Sequence, residues 1–250
     1  MKKYIFLFVV AISLFSCTED DGVSYQNTAT PVTVNFSHNW DGTNVTANEF
    51  NTLNYTNAHG ETVSLTRLRY LVSKIQLHKA DGTSIELKDY NLVDVTNNTN
   101  LSFTSASNIP LGNYTMSMVF GFNEADNQIN NIPLNTVSWN WPAMLGGGYH
   151  FMQMEGKYST DGGVTQNTYA YHMGTARVSI GNFEPNHFTV NLGVVTIAEN
   201  QNLEIKMNIS EWYKNTYTWD LTQYNNTLMP NYAAQKHMLE NGPTVFSLGN

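Results

Sequence analysis

Imidazole, indole and thioether side chains are concentrated between residues 138 and 174 of a 250-residue chain that contains one cysteine. Trp139 and Trp141 stand two residues apart, and His150 and His172 follow them. Imidazole is a ligand for copper, zinc and nickel, and thioether sulfur favours monovalent copper. The segment therefore predicts a metal site that suits copper, although residue types alone do not exclude zinc.

A second pair of such residues, His38 and Trp40, stands near the start of the chain. It follows an alternating segment, 31–37, and side chains two positions apart on a strand share one face. We therefore expect His38 and Trp40 to point the same way if the strand reaches residue 40. The candidate metal-site residues are His38, His172, Trp139, Trp141, Trp40 and His150.

The elements that must position these residues are strands. Apolar side chains alternate with polar ones in several short segments, including 31–37, 65–78 and 114–122, and turn sequences such as Ala80-Asp81-Gly82-Thr83 separate them. Alternation of this kind with regularly spaced turns is typical of an antiparallel sandwich. We predict an all-β, single-domain, two-sheet antiparallel β-sandwich with at most one short helix, near 233–239. His150 is predicted to lie on a strand, on the face opposite Tyr149.

The N-terminus predicts a lipoprotein. Two lysines precede an apolar run, 4–14, that is too short to span a bilayer. Leu14-Phe15-Ser16-Cys17 resembles a bacterial lipobox, so we predict that the only cysteine, Cys17, is the lipidation site. The acidic residues after it resemble the surface-export signal of Bacteroidetes lipoproteins.

These features divide the chain into a signal peptide (1–16), a lipidated tether (17–30) and a β-sandwich domain (31–250). The predicted location is the outer membrane, on either the periplasmic or the cell-surface side, with the acyl chains as the anchor.

Composition excludes several classes of function. The net charge of −8 and the absence of a basic cluster make nucleic acid an improbable partner. No nucleophile elbow, zinc-protease motif or phosphate-binding loop occurs in the sequence, so the chain is predicted not to be an enzyme. The oxygen-rich segment 122–127 is a weaker candidate for calcium, because it lacks the spacing of a calcium loop.

Several motifs follow one another in an order that is specific to one family. They are W-x-W at 139–141, G-Y-x-F-x-x-x-E-G at 148–156, Y-H-x-G at 171–174, L-R-Y-x-x-S-x-I-x-L at 68–77, Y-x-L-V-D at 90–94 and P-x-G-x-Y at 110–114. With these motifs the chain resembles the copper-binding proteins of the methanobactin-associated MbnP-like family.

The resemblance implies copper bound outside the cytoplasm, and the thioether side chains favour Cu(I). It also implies a tryptophan oxidised to kynurenine by a partner di-haem enzyme related to cytochrome c peroxidases. Kynurenine has an aryl amine and a ketone, which could bind a metal. The sequence has no W-x-H, so the modified position stays open, with Trp139 and Trp141 ranked before Trp40.

The resulting hypothesis is a lipid-anchored, extracytoplasmic protein that binds copper through His38 and His172 for acquisition, buffering or delivery. The alternative is a surface adhesion or glycan-binding lipoprotein without metal, which the many Tyr, Trp and Asn residues would serve. A third option is an envelope protein that keeps the fold but has lost the metal.

Overall fold

The computed structural model describes residues 28–249, so the predicted signal peptide, Cys17 and most of the predicted tether lie outside the described residues. The strands are β1 (Ala29–Thr30), β2 (Thr33–Trp40), β3 (Thr43–Asn44), β4 (Tyr55–Thr56), β5 (Thr62–Val63), β6 (Arg67–His78), β7 (Ser84–Asp94), β8 (Ser102–Thr104), β9 (Ile109–Pro110), β10 (Gly112–Phe120), β11 (Met152–Ser159), β12 (Asn167–Met173), β13 (Ala176–Ser179), β14 (Asn182–Glu184), β15 (Phe188–Ile197), β16 (Asn202–Asn208) and β17 (Phe246–Leu248).

The described chain also contains two α-helices, α1 (Ile132–Thr136) and α2 (Tyr232–Asn241), and four 3₁₀ segments at Ala47–Glu49, Ala143–Leu145, Ile209–Tyr213 and Gly242–Thr244. The predicted helix near the C-terminus is therefore confirmed. Neither α-helix of residues 28–249 has the length and apolar character needed to cross a membrane.

Two sheets form the predicted sandwich. The larger sheet has eight strands, and β6 is at its centre, with β7 along one edge and both β10 and β11 along the other. Beyond β10 lies β15, and beyond β11 lie β12 and the short pair β5 and β4. The smaller sheet has five strands, β17, β16, β2, β3 and β8. One pair, β16 with β2, is parallel, which the alternation pattern did not indicate.

The main core lies between the two sheets, as the alternation predicts. Along β2 every second residue is buried, from Val34 to Trp40, so the predicted strand does extend to residue 40. Phe36 of the smaller sheet meets Tyr70 of the larger sheet edge to face, with ring centroids 6.4 Å apart. Met152, Met154 and other core methionines fill this interior, in keeping with the adaptable shape of the side chain.

The outer face of the larger sheet is covered by the chain between β10 and β11. A second, smaller apolar cluster forms there, in which Leu71 of β6 packs with Phe122, Leu134 of α1, Trp139 and Tyr149. This cluster explains why β6 is buried on both faces at Leu71, where strict alternation would leave one face exposed. The same segment brings the W-x-W motif onto the sheet.

Ala29 and Thr30, which belong to the predicted tether, pair with β9. These two residues form a two-stranded antiparallel sheet with β9, and the domain boundary at residue 31 stays a prediction.

Candidate metal centre

The outer face of the larger sheet carries a row of polar side chains from three neighbouring strands. Arg69 of β6 lies opposite Gln153 of β11, and Gln153 lies opposite His172 of β12. Directly opposite residues of antiparallel strands are neighbours on the same face, so these three side chains point outward together. The guanidinium of Arg69 donates to Gln153 Oε1 at 2.7 Å, which joins two members of the row.

Glu155 continues the row and orients His172. His172 Nε2 lies 2.8 Å from Glu155 Oε1, and Arg67 Nη1 lies 2.7 Å from the same oxygen. The hydrogen bond from His172 is the main reason that the pKa of Glu155 is lowered, with the charge of Arg67 adding to it. A carboxylate that accepts from Nε2–H leaves Nδ1 of the histidine free to bind a metal, an arrangement common among metal-ligating histidines.

The chain from residue 139 to residue 150 folds over this row as a narrow loop. His150 N–H donates to the carbonyl of Trp139 at 2.9 Å, and Trp141 N–H donates to the carbonyl of Gly148 at 2.8 Å. His150 therefore lies in this loop and not on a strand, because β11 begins only at Met152. The strand placement predicted for His150 is wrong, since its backbone pairs with the W-x-W segment.

Gly174 connects the Y-H-x-G motif to the W-x-W motif. A Cβ at this position would lie 2.5 Å from Cδ2 of Trp141, because the indole rests directly on the glycine backbone. Any larger residue would push Trp141 away from the end of β12. The glycine thus lets the indole pack two residues beyond His172.

The two motifs bring two histidines and two tryptophans together. The ring centroids of His150 and His172 are 5.4 Å apart, and the two rings are nearly perpendicular. The His150 ring also lies 4.9 Å from Trp141 and 5.5 Å from Trp139, centroid to centroid. Four of the six predicted site residues therefore share one location, with His150 in the middle.

His150 is held there as a neutral imidazole. Burial is the main reason that its pKa falls to about 3, and electrostatic interactions with His172 and Arg69 lower it further. Its Nδ1 is buried and has no hydrogen-bond partner. A buried polar atom without a partner is costly, and a neutral imidazole is the form that binds metals. These two properties fit a metal ligand.

The two tryptophans differ in what their nitrogens contact. Nε1 of Trp141 donates to the carbonyl of Leu145 at 3.0 Å. Nε1 of Trp139 is buried without a partner, and the guanidinium of Arg69 lies 4.8 Å from the centroid of its ring. Both indoles are buried, yet only that of Trp139 has a nitrogen free to acquire a new contact.

His38 and Trp40 lie elsewhere. His38 points into the main core, where its Nε2 is 3.0 Å from the hydroxyl of Tyr70. Tyr70 is on the inner face of β6 and its neighbour Arg69 on the outer face, so the larger sheet separates His38 from His172. Trp40 stacks on Tyr55 with ring centroids 4.9 Å apart. The structure therefore does not bring His38 or Trp40 to the other four residues.

The burial of His38 predicts acid sensitivity of the metal-free protein. Burial lowers its pKa from 6.5 to about 4, so the unfolded chain binds this proton first as the pH falls. The contribution of neutral His38 to stability is complete above about pH 6.5 and is lost as the pH falls toward about 4. Between pH 7 and 5 the free energy of unfolding should fall by about 2 kcal/mol more in the wild type than in His38→Gln.

Urea denaturation at both pH values measures this difference. The control is Tyr70→Phe, which removes the hydroxyl bonded to His38 but keeps the buried histidine, and which should therefore keep the wild-type pH dependence. Parallel curves for wild type and His38→Gln would contradict the prediction.

Three residues of this location were not among the predicted site residues, namely Arg69, Gln153 and Glu155. A signal for them exists in the sequence, since all three are polar residues that alternate with apolar ones along their strands. Their importance comes from the register between β6, β11 and β12, which the sequence does not show.

The oxygen-rich segment 122–127 uses its polar groups within the protein. Asn123 Nδ2 donates to Asp126 Oδ2 at 2.8 Å, and Asp126 N–H donates to Asn123 Oδ1 at 3.0 Å. Lys74 Nζ lies 3.3 Å from Asp126 Oδ2. Calcium binding at this segment stays a prediction, and the contacts described account for Asn123 and Asp126 without it.

Comparisons with known proteins agree with this architecture. A family model described as MbnP matches residues 29–230. The solved structure of MbnP from Methylosinus trichosporium is similar, with a TM-score of 0.54 and 14% sequence identity over 88% of this chain and 98% of that chain. At this identity the likeness concerns the fold. No curated protein sequence matches the chain.

Proposed function

Because the chain belongs to the MbnP family, a family of non-enzymatic, copper-related accessory proteins, we propose that it binds copper through His150 and His172. The observation that carries this proposal is the buried Nδ1 of His150, which has no partner and faces no competition from a proton near neutral pH. His172 is a suitable second ligand, since Glu155 occupies its Nε2. Imidazole ligands suit both copper and zinc, and membership of this family favours copper.

Trp139 is our proposed position for oxidation to kynurenine. The aryl amine of kynurenine derives from the indole nitrogen, and Nε1 of Trp139 is the one that lacks a partner. Its ring lies 5.5 Å from that of His150, so an amine released there would be close to the proposed ligands. Arg69 over the ring fixes the orientation of the indole. A partner di-haem enzyme related to cytochrome c peroxidases would supply the oxidising equivalents.

The proposed setting is extracytoplasmic. We propose that Cys17 is acylated and anchors the chain to the outer membrane, and that the protein acquires, buffers or delivers copper there. Nothing in this role requires a catalytic base. The support for the anchor is the lipobox-like sequence alone.

The glycan-binding alternative loses the support that the tryptophans gave it. All five tryptophans, which could stack on sugars, are at least 95% buried. Stacking on a sugar needs an accessible aromatic face, and buried indoles do not offer one. No specific observation in the described residues favours this function over copper binding.

The test uses protein purified from its native host grown with added copper, with Trp139→Phe as the variant. We expect near-stoichiometric copper by elemental mass spectrometry and kynurenine at residue 139 by peptide mass spectrometry. Trp139→Phe should fold and lose most of the copper.

Fractionation before purification tests the anchor, because acylated Cys17 keeps the chain with the membrane. Absence of copper from the wild type would refute the proposed function, and an unmodified Trp139 in copper-loaded protein would refute the oxidation.

A further inference from the structure

A second cluster of metal-ligating side chains lies at a different place in the fold. His59 and Glu61 belong to the turn between β4 and β5, and Asp220 belongs to the loop before α2. Their ligand atoms all lie within 4.8 Å of one another. It is the one such group of three or more His, Cys, Asp or Glu side chains in residues 28–249.

The carboxylate of Glu61 is the unusual member of this cluster. The side chain is 2% exposed, and Oε2 has no hydrogen-bond partner. Oε1 is 2.8 Å from His59 Nδ1 and accepts from the Leu221 N–H at 3.2 Å. Burial of a carboxylate with an unsatisfied oxygen is unfavourable unless a cation or a donor completes its surroundings. The described residues provide no such group for Oε2.

The surrounding backbone holds the three residues in place. Asn57 Oδ1 accepts from the N–H groups of Gly60 and Glu61, both at 3.0 Å, and so shapes the turn. Asp220 Oδ1 accepts from the Thr222 N–H at 2.7 Å. The Asn57 side chain also donates to the carbonyl of Trp219 at 3.4 Å, which links the turn to the loop.

The distances suit a small tetrahedral ion. Zinc binds nitrogen and oxygen at about 2.0–2.2 Å, so its ligand atoms stand about 3.3 Å apart. His59 Nδ1 lies 2.8 Å from Glu61 Oε1 and 3.7 Å from Asp220 Oδ1, and sub-ångström shifts would equalise these separations. His59 is 43% exposed, which leaves the remaining coordination position open to water.

We propose that His59, Glu61 and Asp220 form a second metal site, specific for zinc and independent of the copper site. Calcium is disfavoured because it takes oxygen ligands, and monovalent copper because two of the three ligands are hard carboxylates. The site would join two segments that are distant in sequence, so that zinc also stabilises the fold. Zinc accepts both imidazole nitrogen and carboxylate oxygen, and sites with three protein ligands keep an open position for water.

The experiment measures zinc binding to the full chain by calorimetry and equilibrium dialysis. His59→Ala and Asp220→Asn are the variants, since both positions are partly exposed and the changes should not prevent folding. We expect His59→Ala to bind one zinc ion per chain fewer than the wild type, and Asp220→Asn to bind this ion at least about tenfold more weakly. Zinc should raise the unfolding temperature of the wild type more than that of either variant.

Matched control variants distinguish zinc binding at this cluster from binding at the proposed copper site and from general effects of replacing a histidine or an aspartate. His78→Ala removes a histidine hydrogen-bonded to Ser84 and Ser117, and Asp161→Asn alters another turn aspartate. Both should keep the wild-type zinc stoichiometry, and His59→Ala should keep copper binding. Equal zinc stoichiometry in wild type and His59→Ala would overturn the proposal, as would binding of divalent copper or calcium, but not zinc, at these residues.

Discussion

Replacing His150 with alanine is expected to abolish near-stoichiometric copper binding while leaving the sandwich folded. The side chain is at the centre of the site, in ring contact with His172, Trp139 and Trp141. No other imidazole nitrogen in residues 28–249 is both buried and without a partner. Loss of this ligand should weaken copper binding by more than about 100-fold, beyond the 10–100-fold typical of an outer-shell change. Competition with a chromogenic copper chelator measures the affinity.

Two companion variants make this result specific. Glu155→Gln keeps the shape of the side chain but weakens its hold on His172 Nε2, so affinity should fall by about 10–100-fold. His38→Gln removes the histidine on the inner face of the sheet and should leave affinity unchanged. Wild-type affinity in His150→Ala, or strong loss in His38→Gln, would place the copper elsewhere.

Gly156→Ala is expected to be among the most destabilising single substitutions in this protein. A Cβ on Gly156 would stand 1.8 Å from the carbonyl oxygen of Ser64. Two hydrogen bonds hold the Ser64 backbone in place. Its carbonyl oxygen accepts from Tyr169 Oη at 2.9 Å, and its N–H donates to the Lys157 carbonyl at 2.8 Å. Overpacking usually costs about 1–3 kcal/mol, and a clash with paired backbone should reach at least the upper end.

The measurement is thermal unfolding of the metal-free protein. A loss of about 3 kcal/mol corresponds to a fall of about 6–12 °C in the unfolding temperature for a domain of this size. The control is Gly82→Ala, at a position with positive φ and open space around it, where backbone strain alone costs about 1–2 kcal/mol. If Gly156→Ala lowered the unfolding temperature no more than Gly82→Ala does, the backbone at Ser64 would have to move away from residue 156 at little cost.

The fold class could be predicted because its signal is local. Alternation in 31–37 and 65–78 reports which face of a strand is buried, and each side chain's face depends only on its own strand. The helix near the C-terminus was also predicted. Alternation along β12 likewise puts Met173 in the main core while its neighbour His172 is on the outer face. These results required no knowledge of which strands are neighbours.

The site was only partly predictable. Trp139, Trp141, His150 and His172 are close enough in sequence to suggest one another, and the structure does bring them together. The position of His38 relative to the site could not be predicted from the sequence. Alternation shows which face of β2 carries His38, but it does not show which residues of the other sheet His38 contacts. Arg69 and Glu155 reach the site through the register of separate strands.

Local sequence patterns suffice to assign the longer strands, their buried faces and the residue types capable of binding copper, since each depends on neighbours along the chain. Which of those residues meet depends on how the strands pair and how the loops cross the sheets. The larger sheet puts His38 and His172 on opposite sides, and the loop before α2 brings Asp220 to His59. Such contacts join residues that are far apart in sequence. They form because the whole packed core is stable in this arrangement, and no local segment specifies them.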